Sequence, residues 1–78
     1  TELSKAIADY RQNNQNLEYF ETVGIKQAEE IIRDSRENYR LGTIGYYAYL
    51  QNLELAYQIE LNYLESLKKY NQSIININ

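Results

Sequence analysis

Apolar residues recur along this chain in steps of three and four. In the first half Leu3, Ile7, Tyr10, Leu17, Gly24, Ala28, Ile31 and Tyr39 follow such steps or their multiples, with Glu18, Glu29, Glu30, Arg33 and Arg36 between them. In the second half Tyr49, Leu53, Ala56, Tyr63, Leu67, Tyr70, Ile74 and Ile77 do the same. A period near 3.6 is that of an amphipathic helix, and neither half shows the alternation of a strand. Between the halves lie Gly42 and Gly45, two of the three glycines in a chain without proline. The pattern predicts an all-α chain of one domain, with a first helix over about 2–41, a turn at about 41–45 and a second helix over about 45–77. The two helices should close as a long antiparallel coiled-coil hairpin.

A first helix of that length would run about 60 Å at about 1.5 Å per residue. A bend centred on the glycines sets Tyr39 opposite Tyr47, so residues 9–39 should lie antiparallel to 47–77 and leave an N-terminal overhang. Gly42 follows the last periodic residues and fits the left-handed position after a helix, with Thr43 free to cap the second helix. Gly24 costs about 1 kcal/mol relative to Ala inside a helix. Whether the first helix kinks or breaks near Thr22 to Ile25, where Thr22 could cap a new start, is left open by the sequence. The run Gln12 to Asn16 is low in complexity and reads as solvated helix.

The second helix is apolar over more than one stripe. Tyr46, Leu50, Tyr57, Leu61 and Leu64 form a second row, and Leu55, Ile59 and Ile75 widen it further. Such a face is broader than a two-stranded seam requires. Helix–helix packing is accordingly expected from Leu50, Leu53, Tyr57, Leu61, Leu64 and Leu67, against the first helix and a neighbouring hairpin, in a larger bundle or a helical wall. The isolated chain should self-associate at high concentration, a non-native dimeric four-helix bundle being one way to cover both rows.

Composition narrows the chemistry. There is no His, Cys or Met, so thiol or imidazole catalysis, zinc sites of the usual kind and soft-metal sites lack their side chains. No catalytic residue, metal site or cofactor is expected. Acidic pairs such as Glu29 with Glu30 read as a solvated helix face. A net charge of −3 and a pI near 4.8 argue against nucleic acid, whose binders present a basic face. The nine Tyr suit helix borders and protein contacts, because stretch 41–67 has no Lys or Arg to accompany base stacking. No apolar run is long enough to span a bilayer as a helix. The turn, Tyr39-Arg40-Leu41-Gly42-Thr43-Ile44, is unusual in placing Leu41 and Ile44 where turns carry polar residues.

The stretch ENYRLGTIGYYAYLQNLELAYQIELNYLESLKKYNQSI, with YFETVGIKQAEEII before it, resembles the TolC-like outer-membrane efflux proteins. The likeness rests on a Tyr-x-x-Gly tip followed at the right distance by a Leu-rich helix, and it covers nearly the whole chain. It is closest to the version that accompanies heavy-metal pumps of the resistance-nodulation-division class, in some bacteria fused to the pump chain itself. The resemblance implies a trimeric channel with a periplasmic tunnel of helical hairpins, met at its lower end by an adaptor protein and served by an inner-membrane pump. Tyr39, Arg40, Leu41, Gly42, Thr43 and Ile44 would then form the adaptor-docking tip, with Gln51 one turn into the inner helix. Family members often carry acidic residues in and after this turn, where this chain has Thr43, Gly45 and Ala48. The expectation is a periplasmic piece of a heavy-metal efflux channel. The alternative from another class is a self-associating coiled-coil scaffold with no conduit.

Overall fold

The computed structural model describes residues 1–77. It holds helices α1 (Glu2–Tyr19), α2 (Ile25–Arg40) and α3 (Tyr46–Ile77), with a π-helical turn at Phe20–Gly24 joining α1 to α2. The α1–π–α2 arm and α3 lie side by side in a rod of 58 × 18 × 14 Å. Thr1 caps α1 by accepting the Ser4 N–H at 3.1 Å, which satisfies one of the orphan donors of the first turn.

The fully buried residues at the contact between the arms are mostly small, with larger side chains half-buried around them. Gly24, Ala28 and Ser35 of the first arm and Ala56 and Ser73 of α3 are buried, with Leu17 the large apolar residue among the buried set. Small side chains let two helices approach closely, because interaxial distance follows the size of the residues at the crossing. On α3 the row Tyr49, Leu53, Ala56, Tyr63, Leu67, Tyr70, Ile74 and Ile77 is buried or half-buried. Leu50, Tyr57, Leu61 and Leu64 are not at this contact: each is exposed, from 43% for Leu50 to 57% for Tyr57 and Leu61. Leu3 and Ile7 of the first arm are exposed as well. The reason is angular, since the helix cannot turn two rows toward one partner.

The weak point at Gly24 takes the form of a π-turn within a continuous arm. The residues facing α3 are Tyr10, Asn13, Leu17, Phe20 and Gly24, then Ala28, Ile31, Ser35 and Asn38. Steps of three and four alternate on either side, but two steps of four meet at Gly24. That is one residue too many for a straight seam. The π-turn absorbs it, with the Ile25 N–H donating to the Phe20 carbonyl five residues back. Thr22 does not cap a new helix; its hydroxyl donates to the Glu18 carbonyl at 2.8 Å, a back-bond that favours bending. A Cβ at Gly24 would crowd the Phe20 ring of its own arm at 2.9 Å, while Ile59 Cγ2 of α3 at 3.5 Å is at ordinary contact distance.

The register also differs from the expected one. Tyr39 stacks on Tyr49 at 4.8 Å, nearly coplanar at 9°, rather than on Tyr47. Further down, Tyr63 donates to Glu21 at 3.4 Å. At the far end Tyr10 meets Tyr70, with ring centroids 5.5 Å apart, where the expected alignment put it opposite Asn76. The side-chain pairing therefore drifts by several residues along the rod, more than the one residue a π-turn adds.

The Tyr10 and Tyr70 hydroxyls are 3.4 Å apart. Their hydrogen bond, then burial, raises the Tyr70 pKa above its ordinary value of 10.0. A raised folded-state pKa on an acid means that the proton is held more tightly in the folded chain. The contribution is complete below about pH 10 and is lost as pH rises through the folded value of Tyr70. Thermal melts should therefore show stability falling as the pH rises above about 10. Tyr70→Phe should be less stable at pH 8 and flatter over that alkaline range, and an unchanged slope would remove the pair from the account.

Candidate functional site

The turn is fixed by the backbone. Gly42 has φ 77°, the one positive φ among the described residues. Its N–H donates to the Tyr39 carbonyl at 3.1 Å, and the Thr43 N–H reaches the Asn38 carbonyl at 2.8 Å. These two bonds form a Schellman motif, which satisfies carbonyls left open at the end of α2. Thr43 does not cap the second helix. α3 begins at Tyr46, and the Gly45 carbonyl accepts the Tyr49 N–H at 3.1 Å, so Gly45 holds the capping position.

This geometry displays the tip residues unequally. Leu41 is 61% exposed, whereas Ile44 is half-buried. Only one of the two aliphatic residues foreseen on the tip surface stands fully out. Thr43 is exposed. Arg40 is held along its own helix by a two-pronged pair with Glu37, Nη2 to Oε1 at 2.6 Å and Nε to Oε2 at 3.1 Å. That hydrogen bond raises the Arg40 pKa further, so the guanidinium stays charged but already has a partner. Tyr39 stands behind the turn, between Tyr49 and the tilted ring of Tyr46 at 5.9 Å.

Tyr46 and Tyr47 extend this surface, at 60% and 74% exposed. They were not singled out as tip residues from the sequence. The signal was present: consecutive aromatic residues on a helix point about 100° apart, so a single seam cannot bury both. From this end the exposed residues Leu50, Tyr57, Leu61 and Leu64 continue along α3. Leu53 and Leu67, by contrast, are half-buried on the face that meets the first arm.

Elsewhere the surface offers shallow grooves. One runs over α2 between Glu29, Arg33 and Glu37, and another lies between the arms beside Ile31, Leu55 and Ile59. Among the described residues no three Asp or Glu side chains come together as a metal site would require. Among the described residues no helix is long and apolar enough to cross a membrane. What the arrangement supplies is contact surface: an aliphatic and aromatic tip, and an apolar row leading away from it. No family model, curated protein or solved structure matches the chain.

Proposed function

We propose that this chain is a periplasmic tunnel-wall hairpin of a TolC-like outer-membrane channel, part of a tripartite system exporting heavy-metal cations. Its tip docks the adaptor protein, and the parent channel is a trimer served by an inner-membrane pump. Coiled-coil packing joins its arms, and neighbouring hairpins bundle against the outside of α3. The chain forms the wall and ligates no metal itself, because it has no imidazole, thiolate or thioether to offer a soft cation.

The observation that carries this reading is the display of Leu41. A turn held by Gly42 presents an aliphatic side chain, 61% exposed, at the end of a rod 58 Å long. Exposed apolar groups at such a point are best explained by a partner that covers them. In cells, a photo-crosslinking amino acid at Leu41 of the full-length protein should capture the adaptor, whereas one at Lys26, far down the first arm, should not. Equal capture at both positions, or none at Leu41, would overturn the docking assignment.

A second reading has its own support. The exposed row along α3 suits a scaffold that assembles through helix pairing without any conduit.

A further inference from the structure

The side of α3 turned away from the first arm carries a second helical seam of its own. Tyr47, Leu50, Tyr57, Leu61, Leu64 and Ile75 are all exposed, Leu61 and Leu64 at 57% and 56% and Ile75 at 64%. Glu54, Lys68 and Asn71, exposed as well, complete the row. Together these residues occupy every position of a strict alternation of steps of three and four from 47 to 75. That is the a/d pattern of a coiled-coil seam, sustained over about four heptads and about 42 Å. The first arm occupies the other side of the helix, so within one chain this seam has no partner.

The chemistry of the chain selects what covers it. The first arm of another copy is a poor match. From Gly24 to Asn38 it exposes no large apolar side chain and displays Lys26, Glu29, Glu30, Arg33, Asp34 and Arg36 instead. The complementary row is α3 itself. Its charges then decide the direction. In a parallel, in-register pair Glu54 would face Glu54 of the copy and Lys68 would face Lys68. In an antiparallel pair centred between Leu61 and Leu64, Leu61 faces Leu64, Leu50 faces Ile75, and Lys68 faces the Tyr57 ring with Glu54 one turn away. Among the described residues neither Glu54 nor Lys68 has an ion-pair partner in its own chain, whereas Lys69 is paired with Glu65 at 3.8 Å.

We propose that α3 is a homotypic interface through which two copies of this chain pair antiparallel in a two-fold, four-helix assembly. Apolar residues at both ends and the centre supply the attraction, and the Glu54 and Lys68 positions reject the parallel alternative. The antiparallel pair takes the face of α3 that the channel reading gives to neighbouring hairpins, whose tips all point the same way, so it describes the chain on its own and accords with the scaffold reading. It uses none of the tip residues, so the two can fail separately.

Sedimentation of the 78-residue chain should show a concentration-dependent dimer. Leu61→Asp should weaken it by about 30-fold or more, as expected of a central interface residue, with helicity by circular dichroism unchanged. Glu54→Lys should weaken it by about tenfold, since each dimer has two such sites. Adding Lys68→Glu should restore it. The chain has no cysteine, so Gln51→Cys gives one spin label per copy. Labels should lie about 35 Å apart along an antiparallel pair, against about one helix diameter, about 10 Å, in a parallel one. A strict monomer at millimolar concentration, a short Gln51 distance, or an unaltered dimer in Leu61→Asp would each overturn the proposal.

Discussion

If the chain serves in the channel proposed above, Gly42→Val in the full-length protein is expected to lower adaptor docking and efflux sharply while the arms stay helical and outer-membrane levels stay normal. Gly42 holds φ 77°, a region that a β-branched residue resists at a cost of about 1–2 kcal/mol. Space is not the obstacle, because a Cβ at this position would meet nothing within 4 Å. The effect is therefore backbone strain alone. The chain relieves it by rotating the turn, which breaks the Thr43 to Asn38 bond and re-aims Leu41. Leu41→Asp probes the contact itself and should lower adaptor affinity by about 30-fold if Leu41 is a central contact. Its 61% exposure means that the hairpin loses little by the change. Ile44→Asp is a less clean probe, since Ile44 is half-buried and a charge there also disturbs the turn. Unaltered efflux in both Gly42→Val and Leu41→Asp would reduce the tip to a turn and end the docking proposal.

The second large effect is expected at Gly24→Leu. The space over Gly24 is filled by the Phe20 ring of its own arm and the Ile59 side chain of α3, and a Cβ there would already lie 2.9 Å from Phe20 and 3.5 Å from Ile59. A leucine must displace the Phe20 ring and part the helices, which costs about 2–3 kcal/mol for overpacking of this kind. In a domain of this size that lowers the melting temperature by about 10–20 °C. Gly24→Ala should cost far less. Its clash involves the edge of one movable ring, and the gain in helix propensity of about 1 kcal/mol offsets part of it. Thermal melts of the two variants separate packing from propensity. Equal melting temperatures for Leu and Ala at this position would mean that the arms are not in close contact at Gly24.

These two glycines differ in how readable they were. Gly42 could be assigned from the sequence because its role is local: it follows the last periodic residue of a helix, and a left-handed residue there closes the Schellman bonds whatever the rest of the chain does. Gly24 was recognised as a weak point, but its form was not. The signal was the pair of consecutive four-residue steps around it, and it becomes visible only once Asn13, Phe20, Ser35 and Asn38 are known to face α3. Polar or small seam residues are silent in a pattern built on hydrophobicity. By sequence Thr22 and Thr43 could each cap a helix, and neither does, for a related reason. A threonine near a helix end can cap, back-bond or stay in solvent, and the outcome depends on where the helix begins, which tertiary packing sets.

The sequence by itself determined that the chain is helical, where it turns, and which row of α3 meets the first arm, because each follows from periodicity and from the few places where the backbone can bend. It also showed that α3 has more apolar surface than one partner can cover. Only the tertiary structure decided the register of the arms, the π-turn that shifts it, and the unequal display of Leu41 and Ile44. It also separated the exposed Leu50, Tyr57, Leu61 and Leu64 from the half-buried Leu53 and Leu67. The physical reason is that helix formation is governed by bonds between residues four apart, whereas register and exposure are set by how the surfaces of two long helices fit. That fit turns on glycine, alanine and serine, whose small size draws the helices together without leaving a mark in the hydrophobic pattern.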